Sequence, residues 1–149
     1  MRRCRRSGLA LARVHRLAAV TYRLLEGEEP AIDAARNGET HDFGGELVLT
    51  FEDGTQRFVS WVGEPVQYAV GVERASHFKP DASLTDFDVS DARMWVALIG
   101  KALSFEFVAA DNQVLRIASK DDHVLVCSFE RGGWWADELT ICKQMPVAS

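Results

Sequence analysis

The sequence predicts an α+β fold dominated by antiparallel strands, with two short helices and a pseudo-twofold internal repeat. Three observations carry this reading. The first is an echo between the two halves of the chain. LARVHRLAAVTYRL (Leu11–Leu24) lines up without gaps on VALIGKALSFEFVA (Val96–Ala109), and LVLTFEDGTQRFVSW (Leu47–Trp61) lines up on LRIASKDDHVLVCSF (Leu115–Phe129). Two copies make a paired architecture rather than a solenoid, which needs three or more repeats. The second is Asp53-Gly54 between alternating apolar runs, the strongest local signal for a β-hairpin. The third is a C-terminal half of short strands separated by turn chemistry, which describes an antiparallel meander. No alternating βαβ pattern and no Gly-rich phosphate loop occurs, which argues against a parallel nucleotide-binding sheet.

Taken in order, residues 9–15 read as a short helix by analogy with the second half, and 17–25 as a strand, where VTYRL alternates β-branched and aromatic residues. Residues 26–44 are polar, with Pro30 and several glycines, and read as a long connection that is either mobile or a binding element. The hairpin covers 45–62. Residues 65–75 make another strand, with Pro65 at its start where a missing N–H is tolerated. A second polar loop follows at 76–90. A short helix then opens with Ser90 as N-cap and Asp91 in its first turn, and Gly100 fits the left-handed residue that closes it. Met94, Trp95 and Leu98 fall at helical spacing and should face the core. Strands are expected at 102–109, 113–119, 123–130 and 135–143, separated by Asp111-Asn112, Lys120-Asp121-Asp122 and Arg131-Gly132-Gly133. The similar halves are then about 9–75 and 90–143.

At 149 residues the chain suits one domain with a full core. Three cysteines make no disulfide framework; Cys127 and Cys142 lie in apolar runs where buried thiols are common, and a reducing cytosol is the simplest setting. Charge is unevenly placed. Residues 1–23 carry seven arginines and no carboxylate, so the remainder holds 10 basic and 22 acidic side chains, a net charge of −12. Such a body repels nucleic acid and attracts basic partners. Arg13, His15 and Arg16 interrupt the apolar run that a secretory signal would need, and residues 1–8 read as a frayed basic tail. No run is long enough for a transmembrane helix.

Candidate chemistry is sparse. His41-Asp42 and Asp121-Asp122-His123 occupy comparable polar loops, and together they would make the site of a small metal-dependent hydrolase. Against it, no His-x3-His or Cys-x2-Cys spacing is present. Ser60 and Ser128 lie in strands rather than at a nucleophile elbow, and Cys127 sits among apolar neighbours where a thiol is inert. No catalytic residue, metal or cofactor is therefore assigned. The tryptophans are the more useful anomaly. Trp61 and Trp95 read as core, whereas Trp134-Trp135 follow Gly132-Gly133 in a strand, so one ring faces away from the core. Framed by Asp137 and Glu138, that ring would anchor a basic protein partner, with Asp121 and Asp122 extending the acidic patch.

The acidic residues concentrate in three segments: Glu26–Asp42, Asp81–Asp91 and Asp121-Asp122. In that character, in the Phe51-Glu52-Asp53-Gly54-Thr55 to Ser60-Trp61 hairpin and in the Trp95-x2-Leu98-Ile99-Gly100-Lys101 segment, the chain resembles small bacterial immunity proteins that neutralise toxin domains. The resemblance implies a cytoplasmic, non-enzymatic module that occludes a basic cognate toxin, by acidic steering followed by burial of an aromatic anchor. No functional residue carries over from it, and the arginine-rich start departs from it. Self-association stays open, as does the third reading, a structural or ligand-binding domain without a toxin partner.

Overall fold

Two five-stranded antiparallel sheets form the protein in a computed structural model, whose described residues are 15–128 and 138–144. Sheet 1 contains β1 (Leu17–Leu24), β3 (Gly45–Phe51), β4 (Gln56–Val62), β5 (Ala69–Glu73) and β6 (Thr85–Asp88), in the order β5-β4-β3-β1-β6. Sheet 2 contains β2 (Thr40–Phe43), β7 (Ser104–Phe107), β8 (Val114–Ala118), β9 (His123–Cys127) and β10 (Leu139–Cys142), in the order β2-β10-β9-β8-β7. Two short helices, α1 (Glu29–Ala34) and α2 (Arg93–Val96), stand between strands.

The period-2 pattern explains which side chains go inward. Along β1, Val20, Tyr22 and Leu24 are fully buried, and an irregularity between Leu17 and Ala19 lets Leu17 turn inward too. Leu47, Leu49 and Phe51 of β3 join them, as do Leu115 and Ile117 of β8, Val124 and Val126 of β9, and Leu139 and Ile141 of β10. One continuous cluster thus serves both sheets. Met94 and Trp95 of α2 and Leu98 in the turn after it close the cluster, facing the core as their spacing predicts. Trp61 is partly buried against the same cluster.

The echo between the halves has a counterpart in strand order and register. Each sheet holds a four-stranded meander, β1-β3-β4-β5 in one and β7-β8-β9-β10 in the other. Ala19↔Thr50, Val20↔Leu49, Thr21↔Val48 and Tyr22↔Leu47 pair in sheet 1, and the residues aligned on them pair in sheet 2: Ser104↔Ala118, Phe105↔Ile117, Glu106↔Arg116 and Phe107↔Leu115. The turns at Asp53-Gly54 and Asp121-Asp122 occupy the same place in the two meanders. The next pair of strands departs by one residue. Leu47 pairs with Val59, whereas Leu115 pairs with Val126, because the Asp121-Asp122 turn is one residue shorter. The fifth strands break the symmetry, since β6 joins beside β1 whereas β2 joins beside β10.

Several expectations are corrected. The polar stretch 26–44 is no loop: it holds α1, with Pro30 in its first turn where the missing N–H costs nothing, and then β2. The second polar stretch holds β6. Strand β5 begins at Ala69 rather than 65, after a cis Glu64-Pro65 bond and a left-handed Tyr68. Ser90 does not cap a helix. The N-cap is Ala92, and the Ser90 hydroxyl instead accepts the Val20 N–H at 2.8 Å, tying the approach to α2 onto β1. Gly100 is left-handed at φ 82, as expected. The helix expected at 9–15 falls almost wholly outside the described residues. So do Trp134, Trp135 and Asp137.

Candidate functional site: a cleft where three acidic segments meet

The segment joining α1 to β2 is bound to the approach to α2 by contacts that the sequence does not advertise. Arg36 pairs with Asp91 and lays its guanidinium 5.3 Å from the centre of the Phe87 ring. Asn37 accepts the Arg93 N–H at 3.1 Å. The acidic stretches Glu26–Asp42 and Asp81–Asp91 are thereby fastened to each other. The third joins through sheet 2. Asp122, just before β9, receives the Lys143 ammonium at 2.8 Å, just beyond the end of β10, while β10 pairs with β2.

Between them opens a cleft of about 490 Å³, lined by Gly38, Glu39 and Thr40, by Arg93 and Met94, and by Asp122, Lys143 and Gln144. Its surroundings are acidic: Glu39, Asp42, Asp91 and Asp121 are exposed. Arg93 is also exposed and forms no ion pair among the described residues. Burial alone would push the Asp122 carboxyl up, yet the Lys143 ammonium and the His123 N–H together hold it below the usual carboxylate range. Asp91 is likewise held low by its hydrogen bond and charge pairing with Arg36. Both therefore stay ionised well below neutral pH.

Behind the cleft, β2 is anchored by a buried polar chain. The Trp95 Nε1–H donates to the Tyr22 hydroxyl at 2.7 Å, and that hydroxyl lies 2.6 Å from His41 Nδ1. His41 Nε2 lies 3.0 Å from the Arg36 carbonyl. A carbonyl can only accept, so Nε2 carries the proton and Nδ1 accepts from Tyr22. In this arrangement each donor of the chain meets an acceptor with His41 neutral. Burial is the main force that lowers the His41 pKa from its ordinary value, and burial also pushes the Tyr22 hydroxyl far up. Protonating Nδ1 would place a charge in the core and strand the Tyr22 proton.

This yields a pH prediction. With the His41 pKa lowered in the folded state, the unfolded chain takes up the proton first as pH falls. The stabilising contribution is complete above about pH 6.5 and declines through and below that value toward the folded pKa. Urea midpoints at pH 7.5 and 5.5 should fall further for the wild type than for His41→Gln. An equal fall in both proteins would dissociate the effect from His41.

The structure separates the histidines that the sequence groups together. His41 and Asp42 lie in a strand, not a loop. His41 pairs with Ile141, which pairs with the core residue Val126; His123 is three positions along β9 and so lies on the other face of sheet 2. His123 Nε2 is engaged with the Lys143 carbonyl at 3.0 Å, and Asp42 accepts the Thr140 hydroxyl at 2.6 Å. Among the described residues no group of three or more His, Cys, Asp or Glu is placed to hold a metal ion. Cys127 and Cys142 are both buried.

Of the residues expected to form a partner patch, Asp122 lines the cleft and Asp121 is its exposed chain neighbour. Glu138 lies away from it. It sits at the other end of β10, its carbonyl accepting the Ser128 hydroxyl at 2.7 Å, roughly 20 Å from Asp122 at the rise of a strand. Sequence reasoning held Glu39 only as a member of the acidic Glu26–Asp42 segment and missed Arg93 and Lys143, which no local pattern ties to the site. No described helix is long and apolar enough to cross a membrane. Compared with known proteins, the chain matches no family model, no curated protein and no solved structure.

Proposed function

We propose that the protein is a binding module of the immunity kind, which captures a basic protein partner on the acidic face around this cleft. The observation that supports it most is the convergence itself. Three acidic segments, far apart in the chain, are fastened around one opening by Arg36 and by the Asp122–Lys143 pair. The polar chain through Tyr22 and His41 gives that face a rigid backing, so little ordering is required on binding. Recognition begins with long-range attraction between the acidic chain, net charge −12 over residues 24–149, and the partner's positive charge, and burial at the cleft follows. The natural partner to test is the product of the neighbouring gene, because an immunity gene lies beside its toxin gene.

Surface plasmon resonance against that product, at two salt concentrations, is the test. The association rate should fall steeply as salt rises, because exposed charges are screened beyond the Debye length. Glu39→Lys combined with Asp121→Lys should slow association about tenfold while changing dissociation little, as rim charges do. Absence of binding, or association insensitive to salt and to both substitutions, would discard this reading.

A further inference from the structure

We propose that the end of sheet 1 beside the β3–β4 turn is a binding site for the phosphoryl group of a small phosphate monoester, gripped by Arg57 and Arg74. The pairing of β4 with β5 runs Phe58↔Glu73 and Val59↔Val72, and one further step sets Arg57 opposite Arg74. Side chains at such positions are direct cross-strand neighbours, and two like charges there repel. Both arginines line a cavity of about 440 Å³ together with His15, Asp53, Thr55 and Gln56.

On a body this acidic, two adjacent cations would be expected to recruit carboxylates. Among the described residues neither does. The Arg57 guanidinium donates to the Gln56 carbonyl at 3.0 Å. Asp53, the carboxylate in the cavity, is already occupied by its own turn. Its Oδ1 accepts the Thr55 N–H at 3.0 Å and the Thr55 hydroxyl at 2.6 Å, and its Oδ2 faces His15 Nδ1 at 3.1 Å. These bonds hold Asp53 below the usual carboxylate range, Thr55 contributing most. They orient the His15 ring and leave the arginine pair uncompensated. A dianion between the two guanidinium groups would reverse the repulsion, and the planar forks match phosphate oxygens in bidentate fashion. The cavity exceeds what a bare phosphate fills and lies in the range of small-molecule sites. That leaves room for an organic group attached to the phosphate.

This site stands apart from the acidic cleft. Leu17, at the start of β1, is paired with Phe51 beside the β3–β4 turn, whereas the far end of β1 leads to α1 and β2. Its test is therefore independent of any protein partner. Isothermal titration calorimetry of the full chain, with inorganic phosphate and with phenyl phosphate, should show one site for each, phenyl phosphate binding more tightly. Arg57→Gln and Arg74→Gln should each weaken both about tenfold or more, the loss expected for a charge-assisted contact, whereas the exposed Glu73→Gln should not. Thermal unfolding without ligand should be unchanged or raised for Arg74→Gln, since it removes a like-charge neighbour, and this separates lost binding from misfolding. No heat with either probe, or undiminished binding in both arginine variants, overturns the proposal. Binding of inorganic phosphate without phenyl phosphate overturns the monoester and leaves free phosphate as the ligand.

Discussion

Replacing Gly45 by Ala is expected to destabilise the protein by about 4 kcal/mol, a loss that urea unfolding would read directly. Gly45 opens β3 with φ 144, a conformation that L-residues rarely adopt. A Cβ there would be driven into the Arg23 carbonyl oxygen, with the Arg23 carbonyl carbon and Leu24 Cα close behind. All three are backbone atoms of β1, so no side chain can swing aside. Relief requires β1 and β3 to part where Leu24 pairs with Gly45. Two further groups would feel that movement. The buried Ser60 hydroxyl donates to the Gly45 carbonyl at 2.9 Å. The neighbouring Glu46 carboxylate is fully buried and accepts from Arg23 and Ser76, at 2.6 Å each, and from the His77 N–H at 2.9 Å. Gly54 supplies the control. It also has positive φ, 87, but nothing lies within 4 Å of an added Cβ, so Gly54→Ala should cost only about 1–2 kcal/mol. Equal losses at the two glycines would show that β1 and β3 are not locked at Gly45.

How far the fold is legible in the sequence depends on which signal each element carries. The eight strands with apolar alternation or a tight turn beside them can be read directly. The two that cannot are β2 and β6. In β2 the inward residues are His41 and Phe43, so the period-2 pattern is present, but it is disguised because histidine counts as polar until Tyr22 and Arg36 satisfy its ring. In β6 only Phe87 turns toward the core. That strand exists because β1 has an open edge to fill, and its exposed Thr85, Asp86 and Asp88 then blunt the new edge. Ser90 illustrates a related limit. Its capping chemistry is real, but the donor it satisfies is the Val20 N–H, seventy residues away, which no local rule can anticipate.

The candidate site shows the same division. That Glu26–Asp42, Asp81–Asp91 and Asp121-Asp122 are acidic is plain from composition. That the first and third line one cleft, with the second fastened beside it, depends on the placement of β2 beside β10 rather than beside its sequence neighbour β3, and on Arg36 reaching Asp91. The grouping of His41 with His123 fails for a reason of parity. Three positions along a strand reverse the face, whatever the loops around them suggest.

Trp95→Ala should cost about 5 kcal/mol, at the upper end for an aromatic cavity, because two kinds of loss coincide. Trp95 is fully buried in the cluster shared by the two sheets. Its indole N–H is also the first donor of the chain that runs through Tyr22 to His41 and on to the Arg36 carbonyl. Trp95→Phe isolates the second loss. It keeps most of the apolar volume but removes one donor to the Tyr22 oxygen, at a cost of about 1–2 kcal/mol. Tyr22→Phe should cost more than that, since it leaves both the Trp95 N–H and His41 Nδ1 buried without partners. The double substitution Trp95→Phe with Tyr22→Phe tests whether these groups act together. Once Tyr22 has lost its oxygen, the Trp95 N–H has nothing left to donate to, so removing it should add little or even recover stability. The double variant should therefore fall short of the sum of the singles by about 1 kcal/mol. Additivity to within about 0.3 kcal/mol would mean that each group is satisfied separately. The chain would then not be the unit that holds β2, and with it the acidic face, against the core.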